Sequence, residues 1–446
     1  NLPVGYDTTN SGWSLFLSVI FSIFRFEDYL DNMTLQRICS ILFSALTVIP
    51  VYFLTKKFFK HHIAMIGASF FTFSPYILEN SLLGLTDSLF IFLIAIFLSL
   101  FFSDKKINII CSFVVLGISS LIRYESLLLI IPTTIIFLNK YKSDTSFRKF
   151  YFLGLALFLF TIIPMALWKI QMGAPDGFAS HLLAGAKVVT QMNESGIIKF
   201  NLVLGIMNLP KYVGMSLLPI CFIFVPYSII SIIKKENNDF RYLIFLGIFS
   251  LIPALYAYGR GIEEVRYVFV VLPILIIASL FLIEKIILKI KKTNVITFGF
   301  IILIILSSVI FFNYIQPDYE YETDSVEVAR FVSDLPGKSN DYGSESYYVE
   351  VMDLEKEIFP ILSKDIDFKS KIVLLQGKTI EEKIEDAKKQ GLSYLVVTSN
   401  SSDDVFLEVY NNEKKYEYLE KILDSRENEF RFEVKIFKIN FDRFET

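Results

Sequence analysis

Residues 74–98 read SPYILENSLLGLTDSLFIFLIAIFL. An apolar run gives way to a short polar stretch holding Glu79, turns near Gly84, and resumes at Asp87. From there to Phe102 only Ser88 and Ser99 interrupt apolar side chains. A helix apolar on every side is stable in lipid or in the middle of a bundle. The stretch therefore reads as membrane span, short loop with carboxylates, membrane span.

The same pattern recurs along most of the chain. At 446 residues, 53% hydrophobic and 16% aromatic, with a mean hydropathy of +0.51, the composition excludes an ordinary soluble protein. Ten apolar stretches are predicted as spans: 36–54, 62–78, 86–102, 107–122, 126–139, 150–168, 212–233, 241–257, 266–284 and 295–315. Each approaches the ~20 residues that cross a hydrocarbon core, and 126–139 is the shortest. Cys39, Cys111 and Cys221 all fall within these spans, so no disulfide framework is expected. With three His residues (61, 62 and 181), neither is a His-based metal site.

Charge separates two regions. Residues 318–446 carry 18 Lys and Arg against 30 Asp and Glu, whereas residues 1–317 carry 25 against 16. The polar, acidic tail is long enough for one small core of its own. The predicted organisation is residues 1–35 as the end of a first outer loop with an interfacial helix, 36–317 as the membrane domain, and 318–446 as an extracytoplasmic α/β domain.

Alternate loops of the membrane domain are short and basic: 56–62 (KKFFKHH), 104–106, 139–149, 234–241 and 284–292. Lys and Arg are retained on the cytoplasmic side, which places these five inside. Segments 1–35, 78–87, 123–126, 169–211, 259–266 and the tail then face outward. The triplets Asn32-Met-Thr, Asn193-Glu-Ser and Asn400-Ser-Ser all fall on that face. Residues 11–26 (SGWSLFLSVIFSIFRF) are too short to span and are followed at once by carboxylates, so they read as a helix lying in the outer interface. The expected location is the plasma membrane, multi-pass, with the C-terminal domain outside. With both ends outside, a further helix upstream of Asn1 is expected. No nucleic-acid partner is expected.

Within the tail, 325–335 and 379–391 (TIEEKIEDAKKQG, with Gly391 as stop) are predicted helices. Segments 346–352, 371–376 and 392–399 are predicted strands, 405–425 a helix and 430–441 a final strand. That alternation suggests a small α/β sandwich.

Residue types suited to chemistry gather on the outward face: Asp7, Glu79, Asp87, Arg123, Glu125, Arg260, Glu263, Glu264 and Arg266. Guanidinium forks bind phosphate through paired hydrogen bonds, and a carboxylate can deprotonate an acceptor hydroxyl. Each position also has a plain structural reading. Asp7 fits an Asx turn, Thr86 or Asp87 a helix cap, Arg123 and Glu125 an interfacial ion pair, and Glu263 and Glu264 solvated loop charges.

Several stretches together resemble the GT-C superfamily of membrane glycosyltransferases, in the branch of protein O-mannosyltransferases and aminoarabinose transferases. They are SGWSLFLSVIFSIF with LQRICSILFSALTVIPVYFLTKKFF, SPYILENSLLGLTDSLFIFLIAIFL, LGISSLIRYESLLLIIP and VRYVFVVLPILIIAS, covering about residues 5–285. The closing residues 416–441 resemble the tail of archaeal members. The resemblance implies an inverting transfer of sugar from a polyprenyl-phosphate donor to a protein, lipid or glycan acceptor on the outer face. It places the base on an Asp early in the first outer loop. Asp7 is the carboxylate before the interfacial helix, and its short distance from SGW points to a true base upstream of Asn1. By the same resemblance Asp87 matches the second-loop acid, Arg123 a contact to carrier phosphate and Arg266 a supporting residue.

No cofactor is required by this reading beyond the lipid-phosphate-sugar itself. A divalent metal is allowed but not indicated, since no DxD-like pair occurs in the loops. The alternatives are transfer or polymerisation of a whole oligosaccharide on the same fold, and a transporter or flippase. Transporters show repeats and charges at mid-membrane, whereas here no repeat is visible and the charges lie at the boundary. A receptor-like protein with a partner-binding tail is the remaining class.

Overall fold

The computed structural model describes residues 11–26, 29–142, 145–171, 200–234, 238–288, 293–315, 375, 377–391, 393–399, 403–428 and 433–444. It separates into two compact units, Asn1–Gln316 and Pro317–Thr446.

The first unit is helical. Its elements are α1 (Ser11–Ile23), α2 (Tyr29–Leu46), α3 (Val48–Phe58), α4 (His61–Thr72), α5 (Pro75–Leu82), α6 (Asp87–Phe101), α7 (Lys106–Ile122), α8 (Glu125–Leu128), α9 (Ile130–Lys140) and α10 (Thr145–Gln171). There follow α11 (Leu202–Ser216), α12 (Pro219–Lys234), α13 (Asn238–Ser250), α14 (Ile252–Gly259), a 3₁₀ segment (Val265–Val271), α15 (Leu272–Leu288) and α16 (Thr293–Ile315). Among the described residues, five stretches are long and apolar enough to cross a membrane: Leu30–Phe58, Lys149–Leu167, Asn238–Gly259, Val265–Ile287 and Asn294–Asn313. Val265–Ile287 is 78% buried and lies at the centre of the bundle, whereas Asn294–Asn313 is 17% buried and lies at its edge.

The predicted stretches map onto these helices with local differences. Span 36–54 begins earlier, because α2 and α3 join end to end at Thr47, whose hydroxyl donates back to the Phe43 carbonyl at 2.7 Å. Span 62–78 breaks before Pro75, which has no N–H to continue a helix and opens α5 instead. Stretch 126–139 forms α8 and α9, of which α9 has 11 residues, about 16 Å. Stretch 212–233 resolves into α11 and α12, so the outer segment 169–211 ends in helix. Asn201 nucleates α11 by accepting from the amides of Val203 and Leu204 at 3.0 and 3.2 Å, a helix-start signal legible in the sequence.

Helix α1 has 13 residues, about 20 Å, too short to span. Trp13 and Leu17 are buried, while Val19 and Ile23 are 55% and 66% exposed. The helix is thus two-faced, with one side against the bundle and the other exposed. It touches the C-terminal end of α7 so closely that a Cβ on Gly12 would lie 2.4 Å from the Leu121 carbonyl oxygen.

Loop charges segregate by chain alternation. Lys57 pairs with Asp104 at 2.5 Å and Lys140 with Asp239 at 2.7 Å, joining four of the basic loops at one end of the bundle. Asp87, Arg123 and Glu125 of the other loop set meet at the opposite end.

In the second unit, α17 (Ile380–Gln390), β1 (Tyr394–Thr398), α18 (Asp404–Asn411), β2 (Leu419–Asp424) and β3 (Val434–Ile439) are described. Thr379 caps α17, and Gly391 ends it at φ 75°, the stop the sequence indicated. The strands form an antiparallel sheet in the order β1-β3-β2. Ile384 and Ala387 of α17 and Phe406 and Val409 of α18 share a core with Leu395, Val397 and Phe437 of the sheet. Residues 405–425 are not one helix: after Asn411 the chain turns, and Leu419–Asp424 pairs with β3. Cross-strand hydrogen bonding and burial override the local pattern there. Of 371–376 only Leu375 is described, and it is buried outside any strand. The predicted helix 325–335 and strand 346–352 lie outside the described residues.

Candidate active site

Asp87 opens α6, and the loop before it is fixed from two sides. Gly84 takes φ 71°, a conformation that favours glycine, and its carbonyl accepts from Gln36 Nε2 at 2.9 Å. Ser88 and Ser40 exchange a buried hydrogen bond at 2.8 Å, which ties the head of α6 to α2. Thr86 makes no side-chain capping bond, and the Asp87 carboxylate turns instead to Arg123. The capping reading of this pair therefore does not describe the structure.

Arg123 ends α7 in an extended conformation. Its Nη1 donates to Asp87 Oδ1, and its Nε and Nη2 donate to Glu125 Oε1 at 3.1 and 2.6 Å. Asp87 is 1% exposed and Arg123 8%. Asp87 Oδ2 is buried without a hydrogen-bond partner among the described residues. Burial opposes the Arg123 charge, but the Asp87 and Glu125 carboxylates outweigh it and hold its pKa above the usual arginine value. The ion-pair reading of Arg123 and Glu125 is what the structure shows, enlarged by Asp87 to a three-member cluster.

The late loop joins this cluster. Tyr258 donates its hydroxyl to the Glu264 carbonyl at 3.0 Å, and Gly261 turns at φ 79°, so the chain re-enters the bundle through the 3₁₀ segment. Arg266 on that segment is ion-paired with Glu264. The guanidiniums of Arg123 and Arg266 lie 5.7 and 5.8 Å from the ring centroid of Tyr267, and Arg123 also lies 5.4 Å from that of Phe90. Both distances to Tyr267 are within the range of cation–π attraction.

Beside Arg266 opens a cleft of about 390 Å³, lined by Tyr76, Glu79, Asn80, Glu264, Arg266 and Phe269 among others. Glu79 is partly exposed there, and burial raises its pKa above the ordinary Glu value. Arg266 is half-buried, with 34% of its side chain exposed.

Sequence reasoning placed Glu79, Asp87, Arg123, Glu125 and Arg266 on one face, and these five come together. Arg260 and Glu263 do not join them. Arg260 lies 6.0 Å from the Tyr256 ring centroid, and Glu263 pairs with Lys211 at 3.6 Å on the surface, as a solvated loop charge would. Asp7 lies outside the described residues. Tyr267 and the choice of Glu264 over Glu263 were not legible, because they arise from the 3₁₀ backbone between residues 265 and 271; Phe90 was not, because it is one of many apolar side chains of α6. Among the described residues, no three metal-ligating side chains converge.

The family model described as dolichyl-phosphate-mannose-protein mannosyltransferase matches residues 13–168, less than half of the chain. No curated protein matches the chain in sequence. Among solved structures, the oligosaccharyltransferase of Archaeoglobus fulgidus in complex with zinc and sulfate is similar at a TM-score of 0.58 and 14% identity, over 92% of this chain and 60% of that one. The same enzyme tethered to an acceptor peptide gives 0.55 at 13% identity, over 90% and 61%. ArnT from Cupriavidus metallidurans bound to undecaprenyl phosphate gives 0.56 at 10% identity, over 90% and 83%. The chain thus spans about three fifths of the oligosaccharyltransferase structures it matches. At these identities the likeness establishes the fold alone, that of the two membrane enzymes just named.

Proposed function

We propose that this chain carries out sugar transfer from a polyprenyl-phosphate-linked donor to an acceptor hydroxyl at the extracytoplasmic face of the membrane. The observation that carries the reading is Arg266, partly exposed in the wall of a cleft that also holds Glu79, next to the buried Asp87–Arg123 pair and its partner Glu125. The GT-C architecture and the polyprenyl phosphate bound to ArnT support the same class of donor. Basic loops at the opposite end of the bundle support an extracytoplasmic cleft.

The step is an inverting displacement. The acceptor oxygen forms a bond to the anomeric carbon, the bond from that carbon to phosphate oxygen breaks, and the acceptor proton passes to a carboxylate. Arg266 meets the charge that develops on the departing phosphate. Arg123 is buried between two carboxylates, so its role is to fix Asp87 and the wall behind Tyr267. Among the described carboxylates Glu79 has the exposure and the raised pKa suited to a base; Asp7, at the start of the chain, is the second candidate.

Transfer of a radiolabelled sugar from a panel of polyprenyl-phosphate sugars, with the chain in proteoliposomes, tests the reading. Transfer lost in Arg266→Ala supports it. Transfer that survives Arg266→Ala unchanged, or donor-independent lipid movement across the bilayer, overturns it.

A further inference from the structure

A second feature lies away from the cleft and shares no residue with it. Helices α3 and α4 are joined through Phe59 and Lys60 and diverge to leave an open groove of about 450 Å³. Its walls are apolar: Ile49 and Phe53 of α3 and Met65 and Ala68 of α4, with Ser69 at the rim. Ile49, Phe53 and Met65 are 54%, 55% and 40% exposed, facing away from the bundle.

Lys56 and Lys60 make one end of this trough cationic. Lys56, Lys60, His61 and His62 cluster where the two helices meet. The Lys56 ammonium lies 5.8 Å from the Tyr52 ring centroid, and the Tyr52 hydroxyl is 2.7 Å from His61 Nδ1. Asp104 pairs with the neighbouring Lys57. Among the described residues no carboxylate is ion-paired with Lys56, Lys60, His61 or His62. Tyr52, with an apolar ring in the groove and a hydroxyl at the polar end, marks the level at which lipid tails give way to headgroups.

We propose that the α3–α4 groove seats an anionic phospholipid, with acyl chain against Ile49, Phe53 and Met65 and headgroup phosphate against Lys56, Lys60 and His61. Charge decides the class of occupant. Apolar walls alone accept any lipid, but uncompensated cations at the mouth select one whose headgroup is negative. From His61 to Ser69 the trough runs about 12 Å, enough for the upper half of an acyl chain.

The test is native mass spectrometry of the full chain released from nanodiscs containing equal phosphatidylglycerol and phosphatidylcholine. The expected result is one retained phosphatidylglycerol, favoured roughly tenfold over phosphatidylcholine. Lys56→Gln/Lys60→Gln, both exposed positions, should abolish the preference. Ser69→Phe, which fills the groove and leaves the charges, should remove the bound lipid. Equal retention of both lipids by the unaltered chain overturns the proposal. So does loss of preference in the lysine variant with full retention in Ser69→Phe, since the lysines would then act as a surface charge without a seat. A dimer dispersed by Ser69→Phe would assign the groove to a second copy and overturn it too.

Discussion

Arg123 donates from Nη1 to one oxygen of Asp87, and the other oxygen of that buried carboxylate has no hydrogen-bond partner among the described residues. The head of α6 and the end of α7 are thereby joined, at the end of the bundle opposite the Lys57–Asp104 pair. The Arg123 guanidinium is buried with Asp87 and Glu125 as its carboxylate partners.

Removing one member should be worse than removing both. Asp87→Ala leaves a buried guanidinium with Glu125 alone, and loss of one partner of a buried pair costs about 3–5 kcal/mol. The double change Asp87→Leu/Arg123→Met should recover most of that stability without recovering transfer. Thermal unfolding in detergent, followed with transfer assays, separates the two outcomes; additive losses in the double variant would contradict the coupling.

Arg266 differs in being half-exposed. Arg266→Ala should fold and should lower transfer about 10²–10³-fold, the scale of losing one group that stabilises developing charge. Arg266→Lys should recover part of it, because a point charge replaces a fork. The measurement is kcat/KM for the donor, with unfolding temperature as the control.

Glu79 has a pKa raised by burial. A base with a raised pKa is ionised above that pKa and lost as pH falls through it. Transfer should therefore decline on the acid side at a pH above the ordinary Glu range, and Glu79→Gln should lower the rate and erase that limb. A pH profile unaltered in the Gln variant would move the base elsewhere, with Asp7 the next substitution to make.

Gly12 lies against the Leu121 carbonyl, two residues from Arg123. Gly12→Leu should force α1 off α7, at about 1–3 kcal/mol for overpacking. Trp13, 5% exposed, reports the change: in a Trp168→Phe background its emission should shift and its quenching rise. Transfer should fall with it if the end of α7 holds Arg123 in place.

The C-terminal unit should loosen in acid. Burial opposes ionisation of Asp403 and Glu413, but bonds from Lys383 to Asp403 and from Lys435 and Lys421 to Glu413 outweigh it and hold both carboxyls below their usual values. Groups with depressed folded pKa values stabilise above their unfolded pKa, and that contribution is lost as pH falls below about 4 toward the folded values. Hydrogen exchange of the 379–439 peptides within the full chain should speed up over that window. Asp403→Asn, which breaks a 2.9 Å pair with the 4%-exposed Lys383 side chain, should speed it at neutral pH.

The sequence by itself determined that this is a multi-helix membrane chain with an acidic α/β tail, because span-length apolar runs and the polarity of loops are local quantities. It also picked out Glu79, Asp87, Arg123, Glu125 and Arg266, because charged residues at the ends of apolar runs are conspicuous. Tertiary structure decided which of these meet. Asp87 and Arg123 sit on different helices, and nothing in either stretch states that both side chains turn inward to the same point. Glu263 and Glu264 are indistinguishable in sequence, yet the extended backbone at Glu264 and the 3₁₀ turn after it send one to Arg266 and leave the other to Lys211. Residues 419–424 became a strand for the same reason: the partner that satisfies their backbone, Val434–Ile439, belongs to a separate later segment and is adjacent only after folding.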